Sequence, residues 1–122
     1  MATILLVEDE DTHRMRIRSA LEMADYQVRE AVNGKEALRQ YRLAPTDLVI
    51  TDIVMPEKDG LELIWELRRD FPEIRIIAMS EPHKDFDYLR VAQLFGVNCC
   101  LLKPFGMETL LKAVREELEC DL

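Results

Sequence analysis

Short runs of apolar residues alternate along this chain with longer segments in which apolar residues recur every three or four positions. The short runs have the length of buried strands and predict β-strands over residues 3–8, 27–31, 47–52, 74–80 and 98–102. The longer segments predict helices over 11–24, 35–41, 61–69, 85–95 and 107–118. Strands that alternate with helices predict an α/β fold, a doubly wound five-stranded parallel sheet with helices on both faces.

The spacing within the helical segments also predicts which side chains face the core. In the first segment, Ile17 and Leu21 fall on one face at helical spacing. In the third, Leu61, Ile64 and Trp65 are expected to pack inward together with Leu67. No repeat, low-complexity run or linker interrupts the pattern, so we expect one domain over residues 1–122.

Composition and charge narrow the possible partners. Of the 122 residues, 48% are apolar, which is enough for a core without disulfides or structural metals, and the formal net charge is -8. This charge argues against direct binding to nucleic acid or to an anionic membrane surface. No apolar stretch is long enough to span a bilayer, and the N-terminal residues carry no cleavage signal, so we expect a cytoplasmic protein.

The cysteines carry no recognisable chemistry. Cys99, Cys100 and Cys120 form an odd set without the spacing of a disulfide framework or a zinc site. For the adjacent pair Cys99 and Cys100 we expect small buried thiols in a strand.

Charged residues follow three of the predicted strands at the point where each ends. Glu8 ends the first strand and Asp9 follows it, Asp52 ends the third, and Lys103 follows the fifth. Because the carboxyl ends of parallel strands meet at one edge, these side chains should converge, and two carboxylates a few ångströms apart repel by roughly 4 kcal/mol. A hard divalent cation, Mg²⁺ or Mn²⁺, would remove that cost. Acids, a cation and a lysine predict a phosphoryl-transfer site.

These residues stand in motifs that carry a resemblance to a known family. The sequence Val-Glu-Asp-Glu covers residues 7–10, and Asp-Ile-Val-Met-Pro-Glu-Lys-Asp-Gly covers residues 52–60. Ser80 ends the fourth strand, and Lys-Pro-Phe follows the fifth at 103–105. In order and spacing the chain resembles the receiver domains of two-component response regulators, a flavodoxin-like family that includes the chemotaxis regulator.

The resemblance implies a fold, a function and partners. It implies the strand order 2-1-3-4-5 and a signalling switch that turns over no external metabolite. Asp52 would accept a phosphoryl group, in a Mg²⁺-dependent reaction, from the phosphohistidine of a sensor histidine kinase or phosphotransfer protein. The modified domain would then change its binding to an effector protein or domain.

The resemblance also implies the roles of the other site residues. The metal ligands would be Asp9 and Asp52 directly, Glu8 through water, and the backbone carbonyl of Val54. Lys103 would pair with Asp52 before the reaction and with the phosphoryl group after it, and Ser80 would donate its hydroxyl to that group. The peptide bond between Lys103 and Pro104 would be cis.

Several positions depart from the family pattern. Cys100 stands where the family usually has a switch tyrosine or phenylalanine, so signalling would rest on the loop after Ser80 and the helix over 85–95. Glu81 stands where the family usually has a small residue. Its side chain either hinders phosphate, by repelling it or by narrowing access to the site, or points to solvent. Asn98 and Cys99 stand where many DNA-binding response regulators have acids that form ion pairs between subunits in one common dimer. Gly106 stands where the last helix usually has an Asp or Ser cap. His13 could face the acids, but we expect a solvated helix residue.

Two other functions remain open at this point. A pseudo-receiver would use the same fold as a protein-interaction module without phosphorelay, and Cys100 and Glu81 keep this alternative open. A phosphohydrolase with an aspartyl nucleophile would need a second acid two residues after Asp52, where this chain has Val54.

Overall fold

The computed structural model describes residues 1–55 and 58–119. Within these residues the strands are β1 Thr3–Val7, β2 Gln27–Ala31, β3 Leu48–Asp52, β4 Ile76–Ser80 and β5 Cys99–Leu102. The helices are α1 Asp11–Met23, α2 Gly34–Leu43, α3 Gly60–Asp70, α4 Tyr88–Leu94 and α5 Met107–Glu119. All paired strands are parallel and lie in the order β2-β1-β3-β4-β5, which confirms the predicted doubly wound, flavodoxin-like architecture.

Two apolar cores lie on opposite faces of the sheet because successive strand residues point to opposite sides. Leu5 of β1 contributes to the core under α2, α3 and α4, and its neighbour Leu6 contributes to the core under α1 and α5. Ile17 and Leu21 are fully buried in the second core, as their spacing predicts. The central strands β1, β3 and β4 are therefore buried on both faces.

Polar side chains cap the first turns of four helices. The side chain of Glu10 accepts hydrogen bonds from the first-turn amides of α1, and Asn33 and Asp59 cap α2 and α3 in the same way. Helix α4 is capped by Asp87 and begins at Tyr88, three positions later than the sequence pattern predicts. These caps satisfy first-turn N–H groups and set the path of the chain where it leaves the sheet.

Some details differ from the sequence predictions. Trp65 does not pack inward: half of its surface is exposed, and the guanidinium of Arg69 lies 4.9 Å from the ring centroid. Strand β4 begins at Ile76, two residues later than predicted. Ile74 is buried but lies before the strand, so its apolar character reflects core packing rather than strand pairing. Cys99 and Cys100 lie in β5, as expected, but they are half-buried rather than buried.

Three of the sequence observations fall where the structure gives no description. Pro56 and Glu57, part of the motif after β3, and Cys120 lie outside the described residues. Among the helices that are described, none combines the length and apolar character needed to cross a membrane.

Candidate functional site

The charged residues predicted from the sequence meet in one cleft at the carboxyl edge of the sheet. Strand β1 lies between β2 and β3, so the chain order reverses there, which is where open α/β sheets form ligand clefts. One carboxylate oxygen from each of Glu8, Asp9 and Asp52 lies within 4.8 Å of the other two. Lys103 extends from the end of β5 to the same point and also lines the cleft. The predicted convergence of these four residues is therefore observed.

Glu8 is the most deeply buried of the acids, with a fully inaccessible side chain. Its Oε1 atom accepts a hydrogen bond from Nζ of Lys103 at 2.8 Å and lies 2.5 Å from Nδ1 of His13. Burial alone would raise the pKa of Glu8, but the hydrogen bonds from these two donors outweigh it and lower the pKa to about 2. Glu8 is therefore ionised at neutral pH.

Asp52 has the opposite electrostatic character. Its Oδ1 atom accepts a hydrogen bond from the backbone N–H of Ile53 at 2.8 Å, and its Oδ2 atom lies 3.1 Å from Nζ of Lys103. Asp52 is 8% exposed as a residue, and burial, followed by the charge of Glu8, raises its pKa to about 7. Lys103 opposes this rise without cancelling it, so the ionised form of Asp52 is costly without a further cation.

Asp9 is the exposed member of the acidic cluster. Its pKa is raised, first by partial burial and then by its interaction with Glu8. A carboxylate that is accessible and repelled by its neighbour is well placed to bind a cation that enters from solvent.

Lys103 and Ser80 connect the last two strands at the cleft. The backbone N–H of Lys103 donates to the carbonyl of Ser80 at 2.8 Å, and the bond between Lys103 and Pro104 is cis, as the resemblance implies. Burial alone would lower the pKa of Lys103, but the adjoining carboxylates raise it, so the ammonium stays charged. The buried Ser80 hydroxyl lines the cleft and donates to the carbonyl of Glu81 at 3.0 Å.

Val54 and Glu81 lie at the edge of the same cleft. Both line it and both are exposed, Val54 at 46% of its surface. The exposure of Glu81 agrees with the solvent-facing alternative. Cys100 of β5 lies with Sγ 3.8 Å from the carbonyl oxygen of Leu89 in α4, and burial raises its thiol pKa to about 11.

Two residues contribute to the site more than the sequence indicates. His13 contacts Glu8 and lines the cleft, so the expectation of a solvated helix residue is wrong. Gly60 packs against the backbone of β3: a Cβ atom at this position would lie 2.2 Å from the carbonyl oxygen of Asp52. Gly60 ends the motif that starts at Asp52, so its position in that motif was the available signal.

Comparison with known proteins agrees with this geometry. Residues 4–115 match the response regulator receiver domain family. The chain is 30% identical to the chemotaxis protein CheY of Thermotoga maritima, over 93% of this chain and 94% of that protein. It is 42% identical to part of the sensor kinase CckA of Brucella abortus, over 97% of this chain but 13% of that protein.

A solved structure agrees at the level of the fold. The chemotaxis response regulator CheY4 of Vibrio cholerae superposes with a TM-score of 0.86 at 29% identity, over 96% of this chain and 98% of that one. The chain belongs to the response regulator receiver domain family and is a module of two-component signalling rather than a metabolic enzyme. Its acidic cluster is typical of the metal site of such domains.

Proposed function

We propose that Asp52 accepts a phosphoryl group and that the resulting aspartyl phosphate switches the binding of a partner. The observation that carries this proposal is the position of Asp52: it ends a buried strand, opens into a cleft, and lies 3.1 Å from a lysine and within 4.8 Å of two further acids. An oxygen of Asp52 attacks the phosphorus atom of a phosphohistidine, and the bond from phosphorus to the imidazole nitrogen of that donor breaks. The imidazole departs with the electron pair and takes up a proton.

The residues of the cleft fit a hard divalent cation. Three carboxylates offer oxygen ligands within 4.8 Å of one another, and the pKa values of Asp52 and Asp9 are raised by burial and by the charge of Glu8. Oxygen ligands without a thiolate favour Mg²⁺, or Mn²⁺, over zinc. Glu8, Asp9, Asp52 and the backbone carbonyl of Val54 would hold it. When bound, the ion neutralises the carboxylates and the charge on the phosphoryl oxygens.

Lys103 and Ser80 have complementary roles in this scheme. Lys103 orients Asp52 through its contact with Oδ2 and is long enough to follow a phosphoryl oxygen once the aspartate has reacted. Ser80 donates its buried hydroxyl to the phosphoryl group, giving up its present bond to the carbonyl of Glu81. Because Ser80 is also bonded to the backbone of Lys103, such a change would reach both β4 and β5.

The donor would be the phosphohistidine of a sensor histidine kinase or phosphotransfer protein, and the output an effector protein or domain in the cytoplasm. The exposed segment 81–87 and helix α4 would carry the signal, since the half-buried Cys100 offers a thiol in place of an aromatic ring. A coupling of about 1–3 kcal/mol between site and output face is sufficient.

The test is covalent labelling with a small phosphodonor. We expect the protein incubated with Mg²⁺ and acetyl phosphate to gain the mass of one phosphoryl group, located at Asp52 by peptide mapping after reduction with borohydride. Asp52→Asn should remain unlabelled, while Asp25→Asn should label normally. Asp25 is a matched control because it is exposed and has a φ of 69°, a backbone conformation that asparagine also tolerates. Absence of labelling, where another receiver labels, would favour a pseudo-receiver.

A further inference from the structure

His13 contacts the acidic cluster from the first turn of α1. Its Nδ1 atom lies 2.5 Å from Oε1 of Glu8, the same oxygen that accepts from Nζ of Lys103 at 2.8 Å. The side chain of Glu8 is fully buried, whereas 20% of the His13 side-chain surface is exposed to solvent. A buried carboxylate oxygen therefore has two donors, one from α1 and one from the loop after β5.

The His13 ring is itself held in place from two sides. Its backbone N–H donates to the side chain of Glu10 at 2.9 Å, which fixes the first turn of α1 beside the strand end. The ring of Phe105 packs against the imidazole, with 5.8 Å between centroids and 59° between planes. A donor whose backbone and ring are both fixed loses little conformational entropy when it bonds to Glu8.

We propose that His13 is a positioning residue of the metal site, which acts by fixing the carboxylate of Glu8. With Oε1 occupied by His13 and Lys103, Oε2 is the more weakly bonded oxygen, with a hydrogen bond of 3.5 Å from the backbone N–H of Glu10. Oε2 is therefore the oxygen that remains for the ion proposed above. This inference rests on the proposed metal-dependent function, although its test does not require phosphorylation.

The contact also bears on Lys103, which divides its ammonium group between Glu8 and Asp52. The two distances are similar, 2.8 Å to Glu8 and 3.1 Å to Asp52. His13 supplies a second donor to Glu8, so Glu8 does not depend on Lys103 alone. Without His13, Lys103 would be drawn toward Glu8 and away from the nucleophile.

The first test is the tautomer of His13, read from ¹⁵N spectra of the labelled protein. Because a carboxylate oxygen can only accept, Nδ1 of His13 must carry a proton. His83, the second histidine of the chain, is exposed and serves as the internal comparison. A His13 ring protonated at Nε2 alone would overturn the proposal, and this measurement needs no variant.

The second test compares two substitutions. His13→Leu removes the donor, whereas His13→Asn places an amide N–H near the position of Nδ1. We expect His13→Leu to weaken Mg²⁺ binding by about tenfold or more, the usual effect of removing a partner that orients a metal ligand. His13→Asn should recover most of that affinity. Ser19→Ala, on an exposed position of the same helix, is the matched control.

Mg²⁺ affinity is measured on the unphosphorylated proteins by NMR titration, with amide spectra confirming that each variant is folded. Wild-type affinity in His13→Leu would refute the proposal. Equal loss in folded His13→Leu and His13→Asn would show that ring packing matters rather than the donated hydrogen bond, and would also refute it. If wild type binds Mg²⁺ but is not labelled by acetyl phosphate, the proposed function fails while the role of His13 still stands.

Discussion

Replacing Asp52 with asparagine should stabilise the metal-free protein while abolishing its labelling. The substitution removes the charge that burial and Glu8 make unfavourable. It keeps the shape of the side chain, and an amide oxygen can still accept from the backbone N–H of Ile53. Lys103 retains its hydrogen bond to Glu8, so neither charge of that pair is left without a partner.

The magnitude follows from the shifted pKa of Asp52, which rises from 3.8 to about 7. Each pKa unit corresponds to about 1.4 kcal/mol, so the ionised carboxylate costs the folded protein up to about 4 kcal/mol at neutral pH. Asp52 shares Lys103 with Glu8, and the variant loses one favourable contact with this lysine. We therefore expect a net gain of about 1–3 kcal/mol, or a rise in melting temperature of about 4–12 °C for a domain of this size.

The pH dependence of this gain provides a sharper test than its size. A carboxyl group with a raised folded-state pKa binds its proton more tightly when folded, so its ionisation destabilises the fold progressively as pH rises from about 4 to about 7. The difference in stability between Asp52→Asn and wild type should be largest above pH 7, shrink as pH falls, and vanish near pH 3. The lowered pKa of Glu8 acts in both proteins and largely cancels from the difference.

Thermal unfolding in a chelator, from pH 3 to 8, measures the effect, with Asp25→Asn as the control for an ordinary exposed charge. Saturating Mg²⁺ should stabilise wild type more than Asp52→Asn. A melting temperature for Asp52→Asn below that of wild type at pH 7 would refute the view that the buried charge of Asp52 destabilises the metal-free protein. A difference that does not change with pH would refute the assignment of the effect to Asp52 ionisation.

Three further predictions concern the neighbouring residues and the metal. Gly60→Ala should lower the free energy of unfolding, measured by chemical denaturation, by about 1–3 kcal/mol or more, because its Cβ would lie 2.2 Å from a backbone oxygen. Gly106→Ala should be tolerated, because a Cβ there would have no atom within 4 Å. Lys103→Met should destabilise the metal-free protein by about 3–5 kcal/mol, since it leaves buried Glu8 without its ammonium partner; an unchanged unfolding midpoint would contradict this. Mg²⁺ at about 100 times its dissociation constant should stabilise wild type by about 2.7 kcal/mol in calorimetry, and no shift would argue against a metal site.

The fold was largely predictable because the strands of a parallel sheet are buried on both faces. A strand such as Leu48–Asp52 then reads as an apolar run, and the polar residue at its end stands out. Glu8, Asp9, Asp52 and Lys103 were found for the same reason: each follows or ends a strand where packing has no use for a charge. Their convergence then follows from the parallel topology alone.

The residues that sequence analysis missed depend on interactions that periodicity does not encode. Trp65 falls at a core-compatible spacing, but Leu63, Ile64 and Leu67 already fill the inner face of α3, and Trp65 lies against Arg69 instead. His13 lies on the same helix as buried Ile17, four positions earlier. Its contact with Glu8 depends on how the first turn of α1 is set against the end of β1, which only the folded chain reveals.

The arrangement of charges explains why site occupancy and stability should be linked in this domain. The clustered carboxylates of Glu8, Asp9 and Asp52 meet Lys103 in the cleft, and the deepest of them, Glu8, takes the stronger share of the available donors. Burial, and then the charge of Glu8, leave Asp52 with a raised pKa, which would suit a nucleophile whose charge is to be stabilised only when a cation is bound. A phosphoryl group would add further negative charge at this point. Labelling should therefore be limited by how well the cleft gathers positive charge, to which Lys103 and the ion both contribute.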